Sequence, residues 1–246
     1  MDRMLFVAMS GAKEIMKAQA INTNNLANAS TTGFRADFQS SLSQPVYGPG
    51  QASRVYATTS AEGVDFSQGS IISTGRDLDV AVNGKGWLAV QAADGSEAYT
   101  RAGDLRIDSA GRVTNGAGFA VLGNGGPISI PAHSKLQIGG DGTISIQPLG
   151  QSGNTLAIID RIKLVNPDSD QIEKSTDGLM HMRNGKATQA DGSVGVVSAS
   201  LESSNVNTIS AMVRMIELSR QYESQIKIMS AAEDNDRASA EIMQMS

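Results

Sequence analysis

Near the start of the chain, apolar or small residues recur at Leu5, Ala8, Ala12 and Ile15 and the pattern continues through Gln19, Asn22 and Leu26, in alternating steps of three and four. That spacing draws one stripe along a helix. Between Met4 and Asn28 there is no Pro and the one Gly is Gly11, so the period predicts a single rod of roughly 37 Å at about 1.5 Å per residue. The same period returns from about Asn205 to the end, again without Gly or Pro, at Ile209, Met212, Met215 or Ile216, Ser219, Tyr222, Ile226 and Met229. Glu223 with Lys227 and Glu233 with Arg237 add acid-before-base pairs one turn apart on this second helix.

Between the helices, from Ser41 to roughly Leu201, the helical period disappears. Turn signals arrive at short intervals: "DGS" at Asp94, "SAGR" at Ser109, "NGAG" at Asn115, "GDGT" at Gly140 and "DGS" at Asp191. Short alternating runs lie between them, among them "LDVAV", "WLAVQ", "LRID", "FAVLG", "ISI", "LQI", "TISIQ" and "VGVVSASL". No fixed repeat of about 20–50 residues runs through them, which disfavours a solenoid or propeller. The predicted class is α+β: a hairpin-rich, antiparallel, mainly-β central domain flanked by long N- and C-terminal helices. The expected divisions are an N-terminal helix over residues 1–35, an extended or β connector over 36–75, a central β domain over 76–180, a β return connector over 181–204 and a C-terminal helix over 205–246.

A helix with one apolar stripe cannot bury it alone, and isolated helices of this kind are marginal in water. The two stripes therefore call for partners. Periodicity leaves two arrangements open: a helical hairpin within one molecule, or helices that pair with each other and then with neighbouring molecules, gaining order as they assemble.

The end of the first helix is unusual. Asn22, Asn24, Asn25 and Asn28 fall close together, although each costs roughly half a kcal/mol against Ala in a helix. Either Asn24, Asn25 and Asn28 face water on a fraying end, or Asn22, Asn25 and Asn28, at steps of three, share a flank and offer their amides to adjacent subunits. Gly33 is placed as a left-handed helix cap, with Phe34 folding back onto Leu26 or Ala29. Ser30, Thr31 and Thr32 add local backbone bonds that compete with helix.

Composition narrows the function. With 20 basic and 25 acidic residues, a net charge of -5 and no single-sign blocks, the chain has no electrostatic footprint for nucleic acid. It has no cysteine, which removes disulfides, thiolate metal sites and cysteine nucleophiles. "LFVAM" at Leu5–Met9 is too short for a secretory signal core and no run approaches the roughly 18 apolar residues needed to cross a bilayer, so no membrane insertion is expected.

Candidate chemistry is sparse. His133 and His181 have no metal-ligand spacing, and "NGKGW" at Asn83–Trp87 lacks the rest of a phosphate loop and reads as a turn. Asp77 and Asp79 would share one face of a strand, as a catalytic or calcium pair or as the solvent side of "DLDVAV" with Leu78, Val80 and Val82 opposite. No metal or cofactor is expected. Trp87 is the only tryptophan, which leaves little for a sugar platform.

Four segments, in order, resemble the axial proteins of the bacterial flagellum, the family of rod, hook and hook-junction subunits: "NNLANASTTGFR" (Asn24–Arg35), "DLDVAVNGKGWLAVQ" (Asp77–Gln91), "YTRAGDLRIDSAGRVTNGAGFAVLG" (Tyr99–Gly123) and "SNVNTISAMVRMIELSRQYE" (Ser204–Glu223). Residues of about 125–203 match only in general character. "MDRMLFVAMSGA" and "STTGFRADF" are most similar to proximal rod subunits, with distal rod subunits next. The resemblance implies a structural, non-enzymatic subunit in the periplasmic part of the basal body, exported by the flagellar type III apparatus without a cleaved signal and stacked with copies of itself and other axial proteins into a torque-carrying shaft. It makes the terminal segments an assembly interface, here Leu5, Ala12, Ile15, Asn22, Asn25, Leu26, Asn28, Gly33, Phe34, Ile209, Met212, Ile216, Tyr222, Ile226 and Met229. From the residues alone, the competing class is a secreted β-domain hydrolase or adhesin that acts on polysaccharide through Asp77 and Asp79.

Overall fold

Both periodic stretches form helices in the computed structural model, which describes residues 3–45, 55–150 and 156–244. Helix α1 spans Arg3–Ala27 and helix α2 spans Thr208–Gln244. Strands β1 (Asp37–Pro45), β2 (Val55–Val64), β3 (Ile71–Ser73), β4 (Val80–Asn83), β5 (Trp87–Gln91) and β6 (Glu97–Thr100) follow α1. Next come β7 (Arg106–Ile107), β8 (Val113–Thr114), β9 (Ala120–Gly123), β10 (Gly126–Pro127), β11 (His133–Ile138) and β12 (Thr143–Pro148). The last are β13 (Ala157–Arg161), β14 (Leu164–Val165), β15 (Ile172–Lys174), β16 (Met180–Met182), β17 (Gly195–Ser198) and β18 (Ser200–Glu202). The chain divides into two compact units, one of residues 1–29, 36–65 and 206–246, the other of residues 30–35 and 66–205.

In the first unit α1 packs against α2 and against the β1–β2 hairpin. Asn22 donates to the Ala211 carbonyl at 2.8 Å, and a Cβ at Gly11 would lie 3.3 Å from the Gln225 side chain. Low numbers on α1 thus meet high numbers on α2, and the helices are antiparallel. Ala8 and Ala12 are buried on α1, and Ala211, Leu218 and Ala232 on α2, so alanine supplies most of the buried apolar positions of the seam. Small side chains let two helix axes approach closely.

The hairpin is antiparallel from Asp37 opposite Val64 to Pro45 opposite Val55, with a register shift between Ser40 and Ser41. It occupies much of the stretch expected as an extended or β connector. Residues 46–54 of that stretch lie outside the described residues.

The second unit is antiparallel throughout. A nine-stranded sheet runs β15-β16-β6-β5-β9-β8-β7, with β10 on β9 and β14 on β5. A three-stranded sheet runs β11-β12-β13, and β4 and β3 pair with β17 and β18. The core gathers Val80, Val82, Leu88, Val90, Leu105, Val121, Ile144, Ile146 and Leu164. Trp87–Val90 are all buried, so β5 is covered on both faces and shows no apolar/polar alternation.

Three local expectations are corrected. "ISI" forms no named strand and contributes one bridge, Ser129 to Arg112. "VGVVSASL" is broken by Ala199, at φ 52°, into β17 and β18, which pair with different partners. Asp77 stands exposed in a turn while Asp79 is buried, so the two carboxylates do not share a strand face. The reason is the tight turn before β4, in which the Asp79 N–H donates to the Arg76 carbonyl at 2.9 Å.

Four of the turn signals are carried by aspartates, and "NGAG" by Asn115, whose side-chain oxygens take backbone N–H groups two to four residues on. Asp108 accepts the Ala110 and Arg112 N–H at 2.8 Å each and the Arg112 guanidinium at 2.9 Å. Hydrogen bonds to the charged form hold four carboxyls below their ordinary range: Asp94 through the Ser96 hydroxyl, Asp108 through the Arg112 N–H, Asp141 through the Thr143 hydroxyl and Asp191 through the Ser193 hydroxyl. A depressed carboxyl contributes stability that is fully present above the unfolded value, about 3.9 for Asp, and is lost as pH falls through the folded value. Thermal melts followed from about pH 6 to about pH 2.5 should show the midpoint falling on the acid side. Asp108→Asn should make that fall shallower, and high salt should weaken the effect, because these carboxylates are exposed.

Candidate assembly surface

The end of α1 is tied to the hairpin by its polar residues. Asn25 donates to the Asp37 carbonyl at 2.7 Å and accepts the Asp37 N–H at 2.9 Å. Its amide thus pairs with the backbone as another strand residue would. About three turns earlier, the Glu14 carboxylate accepts the Thr59 hydroxyl at 2.5 Å and the Gln39 amide at 2.8 Å, while Lys17 donates to the Thr59 hydroxyl at 3.2 Å. The Thr59 hydroxyl is the main reason the Glu14 carboxyl lies below its ordinary value.

Each asparagine expected to reach adjacent subunits is placed by the single chain. Asn22 is buried in the α1–α2 seam, Asn25 is spent on Asp37, and Asn28 donates to the Asn24 carbonyl at 3.0 Å. Leu5, Ile15 and Leu26 are half-buried and Ala12 is buried, all along the stripe read from the sequence. On α2 the inward line runs through Ala211, Met215, Leu218, Tyr222, Gln225, Met229 and Ala232, in steps of four and three. Tyr222 and Met229 fall on it. Ile209, Met212, Ile216 and Ile226 instead point outward, at 74%, 54%, 56% and 43% exposed. The early part of α2 carries apolar residues on two adjacent stripes, and the closely approaching helices select the one that begins at Ala211.

Large apolar side chains also face outward, with Phe6, Met9 and Met16 on α1 and Val213 beside Met212 on α2. So many exposed large apolar groups on one helix pair suit a surface that is covered by a partner.

Gly33 and Phe34 belong to the second unit. Gly33 is left-handed at φ 66°, as a cap would be, yet α1 has already ended at Ala27. What requires a glycine is close approach: a Cβ there would lie 2.3 Å from the Arg101 carbonyl carbon. The Gly33 N–H donates to the Glu202 carbonyl at 2.8 Å, and the Lys174 ammonium sits 4.0 Å from the Phe34 ring centre. Phe34 is therefore engaged by Lys174 within this unit.

Behind Gly33 lies the group that the sequence reading missed. Glu202 is fully buried, with Arg35 at 2.7 Å on one carboxylate oxygen and Arg101 at 2.9 Å on the other. It also accepts the Gly69 N–H at 3.0 Å. Arg101 donates to the Gly84 carbonyl at 2.7 Å and Arg35 to the Ser67 carbonyl. Both guanidiniums lie near the face of Trp87, at 5.9 Å for Arg35 and 5.4 Å for Arg101, and Phe66 meets that ring edge-on. Burial pulls the Arg101 guanidinium below its ordinary value, and the Glu202 charge opposes that shift. No spacing rule links positions 35, 101 and 202; the fold alone brings them together.

The candidate acidic and histidine side chains are engaged locally. Asp79 accepts Thr74 at 2.7 Å and Arg76 at 3.1 Å, which makes it a turn brace. His133 contacts the Pro131 carbonyl and His181 the Asp177 carboxylate, each at 2.9 Å. Among the described residues, no cluster of three or more His, Asp or Glu could hold a metal ion. An open groove of about 520 Å³ is lined in part by Gln91, Glu97, Asn124, Lys163 and Gln189. Its one ion pair, Lys163 with Glu97 at 2.7 Å, is closed on itself, and Glu97 also accepts the Tyr99 hydroxyl. The Tyr99 hydroxyl is raised above its ordinary value, mainly by burial.

Comparisons with known proteins agree along the chain. Residues 5–35 match the family described as flagella basal body rod protein, 81–146 the flagellar hook protein FlgE/F/G D1 domain, and 197–242 the flagellar basal body rod FlgEFG protein C-terminal. The chain is 39% identical over 252 residues to the flagellar basal-body rod proteins FlgF of Salmonella typhimurium and Escherichia coli, covering 100% of each chain. It is 32% identical over 260 residues to FlgG of Bacillus subtilis, covering 95% of this chain and 96% of that one.

Two substitutions test the supports described above. Asn25→Asp keeps the acceptor but replaces the donor with a carboxylate facing a carbonyl, and should cost about 1–3 kcal/mol in urea unfolding of the full chain. Glu202→Gln leaves two buried guanidiniums without their counter-charge and should cost about 3–5 kcal/mol. The fluorescence of Trp87, which stacks on both guanidiniums, reports the second loss directly.

Proposed function

This chain belongs to the FlgF-type flagellar basal-body rod proteins, as a structural rod subunit and not an enzyme, and from that premise we propose that its helix pair is the polymerising element of an axial drive shaft. The observation that carries the proposal is the outward placement of Ile209, Met212, Val213 and Ile216 on α2 and of Phe6, Met9 and Met16 on α1. Covering the four α2 side chains alone is worth on the order of 5 kcal/mol per subunit, before the costs of association. That is enough to favour assembly once several contacts act together.

Neighbouring subunits in such a shaft meet through unlike patches, which do not close and so permit open-ended growth. The terminal helices gain much of their stabilisation when this outer face is covered, while Tyr222, Met229, Leu5, Ala12, Ile15 and Leu26 hold the pair together beneath it. Its partners are copies of itself and the adjoining axial proteins. Export through the flagellar type III apparatus would bring it to the periplasmic part of the basal body without a cleaved signal, and among the described residues no helix is long and apolar enough to cross a membrane. A proximal position in the rod is supported by the 39% identity to FlgF of Salmonella typhimurium and Escherichia coli, against 32% to FlgG of Bacillus subtilis, although the FlgF of Caulobacter vibrioides is also at 32%. From there the shaft would carry torque toward the hook.

Ile209→Asp combined with Ile216→Asp should leave monomer stability within about 0.5 kcal/mol, because both sites are exposed. The same variant should fail to form rods under conditions where the native chain does, as scored by sedimentation and electron microscopy. Normal rods from this variant would remove the outer α2 face from the mechanism.

A further inference from the structure

We propose that Asn124 is a site of spontaneous chemical modification, the first of the chain's Asn-Gly pairs to lose its side-chain amide in the folded protein. Such pairs stand at Asn83, Asn115, Asn124 and Asn184. Glycine has no side chain to hinder its own nitrogen, so that nitrogen can reach the carboxamide of the residue before it. The Gly125 N–H gives its proton to a solvent base and the nitrogen attacks Asn124 Cγ. A new N–C bond forms, the bond from Cγ to Nδ2 breaks, and Nδ2 takes a proton from water and leaves as ammonia. Water then opens the resulting five-membered imide at either carbonyl, which leaves aspartate or isoaspartate at position 124.

The fold separates the four pairs. Asn115 is 2% exposed, and its carboxamide oxygen accepts the Ala117 N–H at 3.1 Å and the Phe119 N–H at 2.9 Å. Asn184 is exposed, but the nitrogen that would attack it is engaged: the Gly185 N–H donates to the Met182 carbonyl at 2.9 Å. Its carboxamide oxygen also accepts the Lys186 N–H at 2.9 Å. Asn83 lies in β4 opposite Gly195, and Arg101 holds the Gly84 carbonyl at 2.7 Å. Closing the imide requires rotation about the asparagine Cα–C bond, which those backbone bonds oppose.

Asn124 and Gly125 have none of these restraints. Both are exposed, in the two-residue turn between β9 and β10. Among the described residues neither the Asn124 carboxamide nor the Gly125 N–H has a hydrogen-bond partner, and a Cβ at Gly125 would meet nothing within 4 Å. The Asn124 N–H makes one long bond, 3.4 Å to the Asp160 carboxylate. Beyond the turn the pairing is short, Gly126 with Gly123 and Pro127 with Leu122, and proline has no N–H to give. The product sets a carboxylate beside Asp160, at the rim of the groove that holds Lys163 and Glu97. This inference concerns the β unit alone and does not depend on polymerisation.

The test is peptide mapping by mass spectrometry of the full chain kept in mildly alkaline buffer, folded in one arm and unfolded in guanidinium chloride in the other. In the folded arm Asn124 should convert roughly tenfold faster than Asn184 and roughly a hundredfold faster than Asn115, since one or more hydrogen bonds must open at each of those sites. In the unfolded arm the four pairs should convert at comparable rates, and the Asn124 product should be a mixture of aspartate and isoaspartate. Conversion of Asn83, Asn115 or Asn184 as fast as Asn124 in the folded arm would overturn the proposal. So would an Asn124 that stays intact in the folded arm while the unfolded chain converts, or a product that is aspartate alone.

Discussion

A single buried carboxylate, Glu202, holds the points at which the chain leaves the β unit for both terminal helices. It joins Arg35 and Arg101 over the face of Trp87. Its own backbone carbonyl takes the Gly33 N–H, and the Asn205 N–H donates to the carbonyl of the next residue, Phe34, at 3.3 Å. Segments 30–35 and 200–205 therefore run together as part of one unit, although they lie far apart in sequence. Burying three charges is costly, and the cost is offset only because each carboxylate oxygen and most guanidinium groups have partners. The arrangement gives one geometry to the connectors rather than much net stability.

From those connectors the chain continues into a helix pair that carries apolar side chains on two faces. Ala8, Ala12, Asn22, Ala211, Leu218 and Ala232 are buried, with Ile15, Leu26, Tyr222 and Met229 half-buried beside them, while Phe6, Met16, Ile209, Met212 and Ile216 face outward. A helical hairpin complete in itself would make that second face polar. The hairpin β1–β2 adds a second layer to the same unit, and its polar links through Glu14, Thr59 and Asn25 keep it aligned on α1 without using that outer apolar surface. The β unit supplies a packed aliphatic core and Asp-braced turns.

Much of this was legible in the sequence where local rules suffice. The α1 stripe was readable because Pro is absent and the apolar residues follow one line. The turns were readable because Asp and Gly carry their own geometry. The α2 stripe was misplaced because Ile209, Met212, Met215 and Ile216 offer two adjacent lines, and only contact with α1 selects between them. The roles of Asn22 and Asn25 depend on Ala211 and on the backbone of Asp37, partners that no helical period predicts. The β1–β2 hairpin was read only as a connector because "DFQSSLSQP" is mostly polar and exposed and shows no alternation. The Arg35–Glu202–Arg101 cluster has no signature at all, since its members are brought together only by the finished sheet.

The central claim, that the outward face of the helix pair is left bare in the monomer and covered in the rod, is tested most directly by oxidative footprinting of methionines in both states. Met9, Met16 and Met212 are 47%, 56% and 54% exposed, and Met180, at 3%, is an internal reference that should react slowly throughout. The account predicts rapid conversion of the three exposed thioethers to sulfoxides in free monomer, and strong protection of the same three in assembled rods. Equal reactivity of Met9, Met16 and Met212 in the two states would contradict it.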